Sequence, residues 1–219
     1  WLAFDKRSDG GKPDIWLRDL RRGVSSRFTT APEGDFAPLF SPDGERLFFA
    51  REAEGGKSSL FVRPLAIGSE QELHTAAGVM APLAVTPDGQ RLVFAKLAEG
   101  AYDLFALDLA NGNEVAPITQ TKGFAEFRAD LSPDGRWLTL QSDESGTGEI
   151  YVQPFPGPGR RWQLSTGGGF FPVWSRDGSE IFFRDGQGQL SHVAVSAGTD
   201  FDAGVPEALF PLAVGIGNS

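Results

Sequence analysis

Cysteine is absent from this chain, so disulfides and thiolate metal sites are excluded and nothing can be read about the redox state of its compartment. Histidine is nearly as scarce. Only His74 and His192 could serve a nucleophile as base, and no Gly-x-Ser-x-Gly elbow accompanies them. His74 ends an outer strand and His192 falls in an apolar column, so both read as structural. Catalysis within the chain is not expected, and no cofactor is implied. No apolar run approaches the ~18 residues of a membrane-spanning helix, no signal peptide is expected from this stretch, and no stretch has convincing helical periodicity. Positive charge is the minority, with 20 basic against 29 acidic residues and a formal net charge of −9. There is no run of five or more like charges. A nucleic-acid partner needs a basic face, so it is not expected.

What the chain does have is glycine and aromatics: 28 Gly, 18 Phe and 5 Trp in 219 residues. Such a mix suits strands packed face to face and joined by tight turns. The turns are visible as a recurring tetrapeptide, Ser41-Pro42-Asp43-Gly44, Thr86-Pro87-Asp88-Gly89, Ser132-Pro133-Asp134-Gly135 and Ser175-Arg176-Asp177-Gly178. Successive aspartates are 45, 46 and 43 residues apart, a period that marks a repeat architecture. Proline presets φ, aspartate bonds the backbone two residues on, and glycine accepts φ > 0. With apolar stretches on both sides, each copy is a predicted hairpin turn.

Four strands per repeat follow. In the second repeat they are Ala37 to Phe40, Arg46 to Arg51, Ser59 to Leu65 and Glu70 to His74. The last repeat gives Phe171 to Trp174, Glu180 to Arg184, Leu190 to Val195 and Glu207 to Phe210. Apolar residues align in columns, for example Leu47/Phe49, Leu92/Phe94, Leu138/Leu140 and Ile181/Phe183. Second strands are often continuously apolar, as expected for a sheet covered on both faces. Short four-stranded antiparallel sheets at this period are the blades of a β-propeller. The expected fold is therefore all-β, a single propeller over residues 1–219. It has a partial blade at 1–32, blades at 33–77, 78–121, 122–166 and 167–211, and a tail at 212–219. Trp1-Leu2-Ala3-Phe4 matches a second strand, so the chain opens inside a repeat, without an initiator methionine. It reads as a piece of a longer protein.

The pattern Phe/Trp-Ser-Pro-Asp-Gly, a Leu-x-Phe strand, then Ile-Tyr-Val resembles the TolB-type, WD-like propeller repeat over nearly the whole chain. The Gly-His and Trp-Asp pairs of true WD repeats are missing. Ser142 to Gly146, Glu149 to Gly157, Trp162 to Gly169 and Pro172 to Gly178 further resemble the C-terminal propeller of bacterial eukaryotic-like serine/threonine kinases. Such propellers usually have six blades. Either a blade lies outside this chain, or the tail Leu212 to Gly217 supplies the strand missing before Trp1. The resemblance also implies an extracytoplasmic or periplasmic setting.

Candidate sites are few. Gly56-Lys57-Ser58 lacks the earlier glycine of a phosphate loop and joins two strands. Asp5, Asp9, Gly10 and Asp14 lack a closing glutamate, and Arg7 stands where a calcium ligand belongs. Asp43/Gly44, Asp88/Gly89, Asp134/Gly135 and Asp177/Gly178 have a local turn role. One column offers more. The start of each third strand (Asp14, Asp103, Glu149) and the loops into each first strand (Phe36, Met80, Phe124, Phe127, Phe170) should share the face opposite the Asp-Gly turns. Exposed aromatics on a polar, acidic rim suit a protein, peptide or small-molecule ligand with some positive charge. The expected function is non-catalytic binding or sensing, as the C-terminal module of a larger bacterial signalling protein such as a kinase. The alternatives are the substrate-filtering propeller of a prolyl-oligopeptidase-like hydrolase and a TolB-like envelope scaffold.

Overall fold

The computed structural model describes residues 1–7, 11–98, 100–119, 123–157 and 159–212. Every regular element among them is a β-strand, so no helix there is long and apolar enough to cross a membrane. The chain divides into two compact units, Trp1–Pro117 and Ile118–Ser219. The first unit holds a three-stranded sheet, β1 (Leu2–Arg7), β2 (Pro13–Arg18) and β3 (Ser25–Arg27). Two four-stranded sheets follow: β4 (Asp35–Phe40), β5 (Arg46–Ala53), β6 (Lys57–Pro64) and β7 (Gln71–Ala77), then β8 (Val79–Val85), β9 (Arg91–Ala98), β10 (Ala101–Asp108) and β11 (Glu114–Pro117). The second unit holds β12 (Glu126–Leu131), β13 (Trp137–Ser142), β14 (Glu149–Pro154) and β15 (Trp162–Gln163). Its other sheet is β16 (Gly169–Trp174), β17 (Glu180–Asp185), β18 (Gln189–Ala197), β19 (Phe201–Ala203) and β20 (Glu207–Pro211). All pairings are antiparallel between chain neighbours, apart from the extra β18–β20 pair. This is the blade pattern of a β-propeller.

The second strand β5 is buried because sheets stack on both of its faces. Leu47 and Phe49 point to one side, where they pack with Ile15, Leu17 and Phe61. Phe48 and Ala50 point to the other and pack with Leu60, Met80, Leu92 and Phe94. In the second unit the core is Trp137, Ile150, Val152, Trp174, Ile181, Phe183, Val193 and Phe201. Here the sequence reading needs correcting. The last repeat's outer position holds two short strands, and β19, with the buried Phe201, was not anticipated. Of the tail proposed to complete the first repeat, Leu212 to Gly217, Leu212 donates its amide to the Gly188 carbonyl at 3.0 Å, and residues 213–217 lie outside the described residues.

Each Asp-Gly turn is closed by the residue that opens it. Ser41 Oγ accepts the Arg46 amide at 2.9 Å and donates to Asp43, whose Oδ1 accepts the Glu45 amide at 2.9 Å. Thr86, Ser132 and Ser175 repeat this arrangement. Gly44, Gly89, Gly135 and Gly178 all stand at φ near +70°, in the left-handed region that glycine enters without steric cost. Arg176 replaces proline in the last turn with the same bonds intact, so the hydroxyl and the aspartate hold the turn rather than the proline. Hydrogen bonds from Ser175, Ser179 and the Ser179 amide hold the Asp177 carboxyl down at about 2. A depressed folded-state pKa stabilises above the ordinary 3.8 and is lost only as pH falls through about 2. Carbon-detected NMR titration should give Asp177 a midpoint near 2, and Ser175→Ala should move it upward.

Candidate ligand-binding face

Loops entering first strands and hairpins joining second to third strands emerge at the end of each sheet opposite the Asp-Gly turns. In the second unit they form a cleft of about 250 Å³ lined by Ser165, Thr166, Gly168, Asp185, Gln187 and Ser191, with Phe183, Val205, Pro206 and Ala208 as its apolar part. Glycines make the cleft. Gly168 has φ +110°, and a Cβ on Gly186 would stand 2.0 Å from the Gly167 carbonyl oxygen. A Cβ on Gly169 would meet Ser165 Oγ at 2.3 Å. The two loops can cross this closely only without side chains.

Glu149 lies buried beneath this cleft. Its Oε2 accepts from Ser165 Oγ at 2.5 Å, and its Oε1 accepts from the Gly168 amide at 2.8 Å and Thr147 Oγ1 at 3.1 Å. Ser165 Oγ in turn accepts the Ile150 amide at 2.9 Å. Glu149 thus fastens the loop that shapes the cleft. Asp185 stands on the wall, accepting from the Gln187 and Gln189 amides and from Ser191 Oγ. Burial works upward on its carboxyl, but these bonds outweigh it and hold it below the usual range. The cleft therefore presents an ionised carboxylate beside an apolar patch, which suits a ligand with hydrogen-bond donors or positive charge.

The other expected site residues are scattered in role. Met80 is fully buried in the first unit's core, which corrects the expectation that it is exposed, because Phe48, Leu60 and Phe94 close over it. Phe36 packs against that same core. Phe124, Phe127 and Phe170 are half-buried, with Arg184 over the Phe170 ring at 5.8 Å. Asp14 is buried and paired with Arg27 at 2.6 Å. Asp103 is half-buried, and burial pushes its carboxyl up against the pull of Lys96. Asp134 and Asp177 line a second cleft between two turns, where Arg136 pairs with Asp134 at 2.7 Å. Lys57 and Ser58 begin β6 after the Gly55-Gly56 bend. Asp5 is exposed and Asp9 and Gly10 lie outside the described residues, among which no cluster of three or more metal-ligating side chains occurs. His192 Nδ1 lies 2.7 Å from Glu180, and burial with Lys96 nearby lowers the His74 pKa.

Two charged networks were missed in the sequence. Buried Asp35 accepts from Arg51 Nε at 2.6 Å and Nη2 at 3.1 Å, and Glu70 accepts from Nη1 at 2.6 Å and Nη2 at 3.0 Å. Arg161 similarly joins Glu126 at 3.1 Å, Glu144 at 2.6 Å and Gln153 at 2.8 Å. The shared position of the acids was legible, since Asp35 and Glu126 each begin a first strand directly ahead of a phenylalanine, but their pairing was not. A hydroxyl column was missed too. Thr29 and Ser165 each accept a third-strand amide at 2.9 Å, and Thr75 meets Ser59 at 2.5 Å.

The model of the TolB β-propeller domain matches residues 51–203. The chain belongs to the TolB β-propeller family. No curated protein matches the chain. Among solved structures, TolB from Acinetobacter baumannii is 20% identical with a TM-score of 0.74, over 95% of this chain and 52% of that one. This TolB-family chain thus spans about half the length of that relative. A prolyl endopeptidase structure is 15% identical with a TM-score of 0.60, over 94% of this chain and 37% of the other. An oligogalacturonate lyase from Vibrio parahaemolyticus is 16% identical with a TM-score of 0.62, over 94% and 62%. At these identities the likenesses establish the TolB-type propeller fold and nothing finer.

Proposed function

We propose that this propeller is a non-catalytic binding module that takes a small polar or cationic group, a peptide side chain or a free amine, at the cleft between the β15–β16 loop and the last sheet. The observation that carries this reading is the pairing of the ionised Asp185 with the accessible Val205–Pro206 apolar surface in one cleft. The module acts within a larger signalling protein, attached to a kinase or another output domain. The resemblance of Ser142 to Gly178 to kinase-associated propellers supports that placement. A second reading makes it the substrate-filtering propeller of a prolyl-oligopeptidase-like hydrolase, which the likeness over 94% of this chain favours.

Thr166→Trp should fill the cleft. The melting temperature of the chain and of this variant, measured across a panel of lysine- and arginine-bearing tripeptides and alkyl amines, tests the reading. Stabilisation of the wild type that disappears in the variant is expected. Stabilisation that survives the tryptophan, or none across the panel, refutes the cleft as the site. Coding sequence on either side then separates the two settings, a kinase domain upstream from a nucleophile elbow downstream.

A further inference from the structure

We infer that Arg128 and Phe171 form a second recognition site, one that takes a carboxylate carried on an apolar or aromatic group. The two residues occupy the same position in successive sheets of the second unit, on first strands that each lie at the free edge of their sheet. Both strands break register there, between Phe127 and Ala129 in β12 and between Phe170 and Val173 in β16. A bulge of this kind re-aims one side chain. At the bulge Arg128 has φ +56° and Phe171 φ +57°.

For non-glycine residues this region is strained, and for a bulky one it is a marked outlier. Glycine would relieve it, and among the described residues glycine stands at positive φ at fifteen other positions. Retained strain points to a use for the side chain. Both side chains are exposed, Phe171 by 51%, and the Arg128 guanidinium lies 5.2 Å from the Phe171 ring centroid. Of the two matching positions in the first unit, Ala37 on β4 stands at φ +52°, whereas β8 carries Pro82 there, outside the left-handed region. The backbone device is therefore shared between units, while the side chain it displays differs.

The chemistry of the pair defines the ligand. A guanidinium lying over a ring face is restricted in orientation, and an exposed one can still donate two parallel bonds to a carboxylate. Val173, 53% exposed, adds apolar surface on the same strand. Asp130, two residues from Arg128, does not compete for it. Its carboxylate accepts the Trp174 amide at 2.8 Å and the Leu131 amide at 3.0 Å. A peptide C-terminus with an apolar last residue and a free aryl acid share the required chemistry.

Titration calorimetry with acetyl-Ala-Ala-Phe, 3-phenylpropionate and the amide of each tests this. The acids are expected to bind about tenfold more tightly than their amides, and Arg128→Gln to lose about tenfold for the acids only. Binding of 3-phenylpropionate alone assigns the site to free organic acids, and binding of both acids assigns it to peptide ends. Phe171→Gly should weaken binding and raise the melting temperature, because it releases strain. Equal binding of acid and amide, binding unchanged in Arg128→Gln, or a lowered melting temperature in Phe171→Gly would each overturn the proposal.

Discussion

Arg51→Met is expected to lower the unfolding free energy by about 3–5 kcal/mol, the cost of leaving a buried charge without its partner. Asp35 has no exposed surface, and Arg51 supplies two of its hydrogen bonds while also facing Glu70 and lying 4.4 Å over the Phe61 ring. Burial already pushes the Asp35 carboxyl up, opposed by Arg51 and by Thr29. Without Arg51 it must rise further. An acid whose folded-state pKa is raised binds its proton more tightly folded than unfolded, so it destabilises as pH climbs through that range and is relieved as pH falls. The deficit should therefore be largest near neutrality and shrink on acidification. Urea unfolding at pH 7 and pH 4 measures it. A loss below about 1 kcal/mol, the scale of an exposed ion pair, would mean that Asp35 reaches water. Asp35→Asn combined with Arg51→Met should recover part of the loss.

Phe201→Ala is expected to cost about 3–5 kcal/mol, the usual range for removing a buried aromatic ring. Phe201 lies in a three-residue strand near the end of the described chain, where tolerance would ordinarily be expected. It is nonetheless the hub of an aromatic cluster, with its centroid 5.3 Å from Trp137, 5.4 Å from Trp162 and 6.5 Å from Trp174. Equilibrium unfolding followed by tryptophan emission reports both the stability and the wetting of those three rings. An unchanged spectrum with a small loss would show that the cluster closes without it.

The repeat period, the turn chemistry and the buried columns were legible because each depends on spacing along the chain. What was illegible depends on register. β4 pairs Leu39 with Phe48, but after the bulge it pairs Asp35 with Arg51. An unbroken ladder would set Asp35 opposite Glu52, one acid facing another. A period-two reading carries no sign of the extra residue, so the buried ion pair stayed hidden. The same cause moved the exposed side chains one place along, from Phe127 and Phe170 to Arg128 and Phe171. Phe201 was missed for a different reason. Assigning one strand to each position left no place for two short strands sharing an edge of β18.

The hydroxyl-and-aspartate closure at each corner reaches only five residues, from Ser41 to Arg46 in the first case. Contacts that local need no distant partner and little loop entropy to form. A nascent chain leaving the ribosome can shut each corner as soon as its own hairpin has emerged. Within each unit, sheets of this kind can then add in turn, each on a neighbour already shaped.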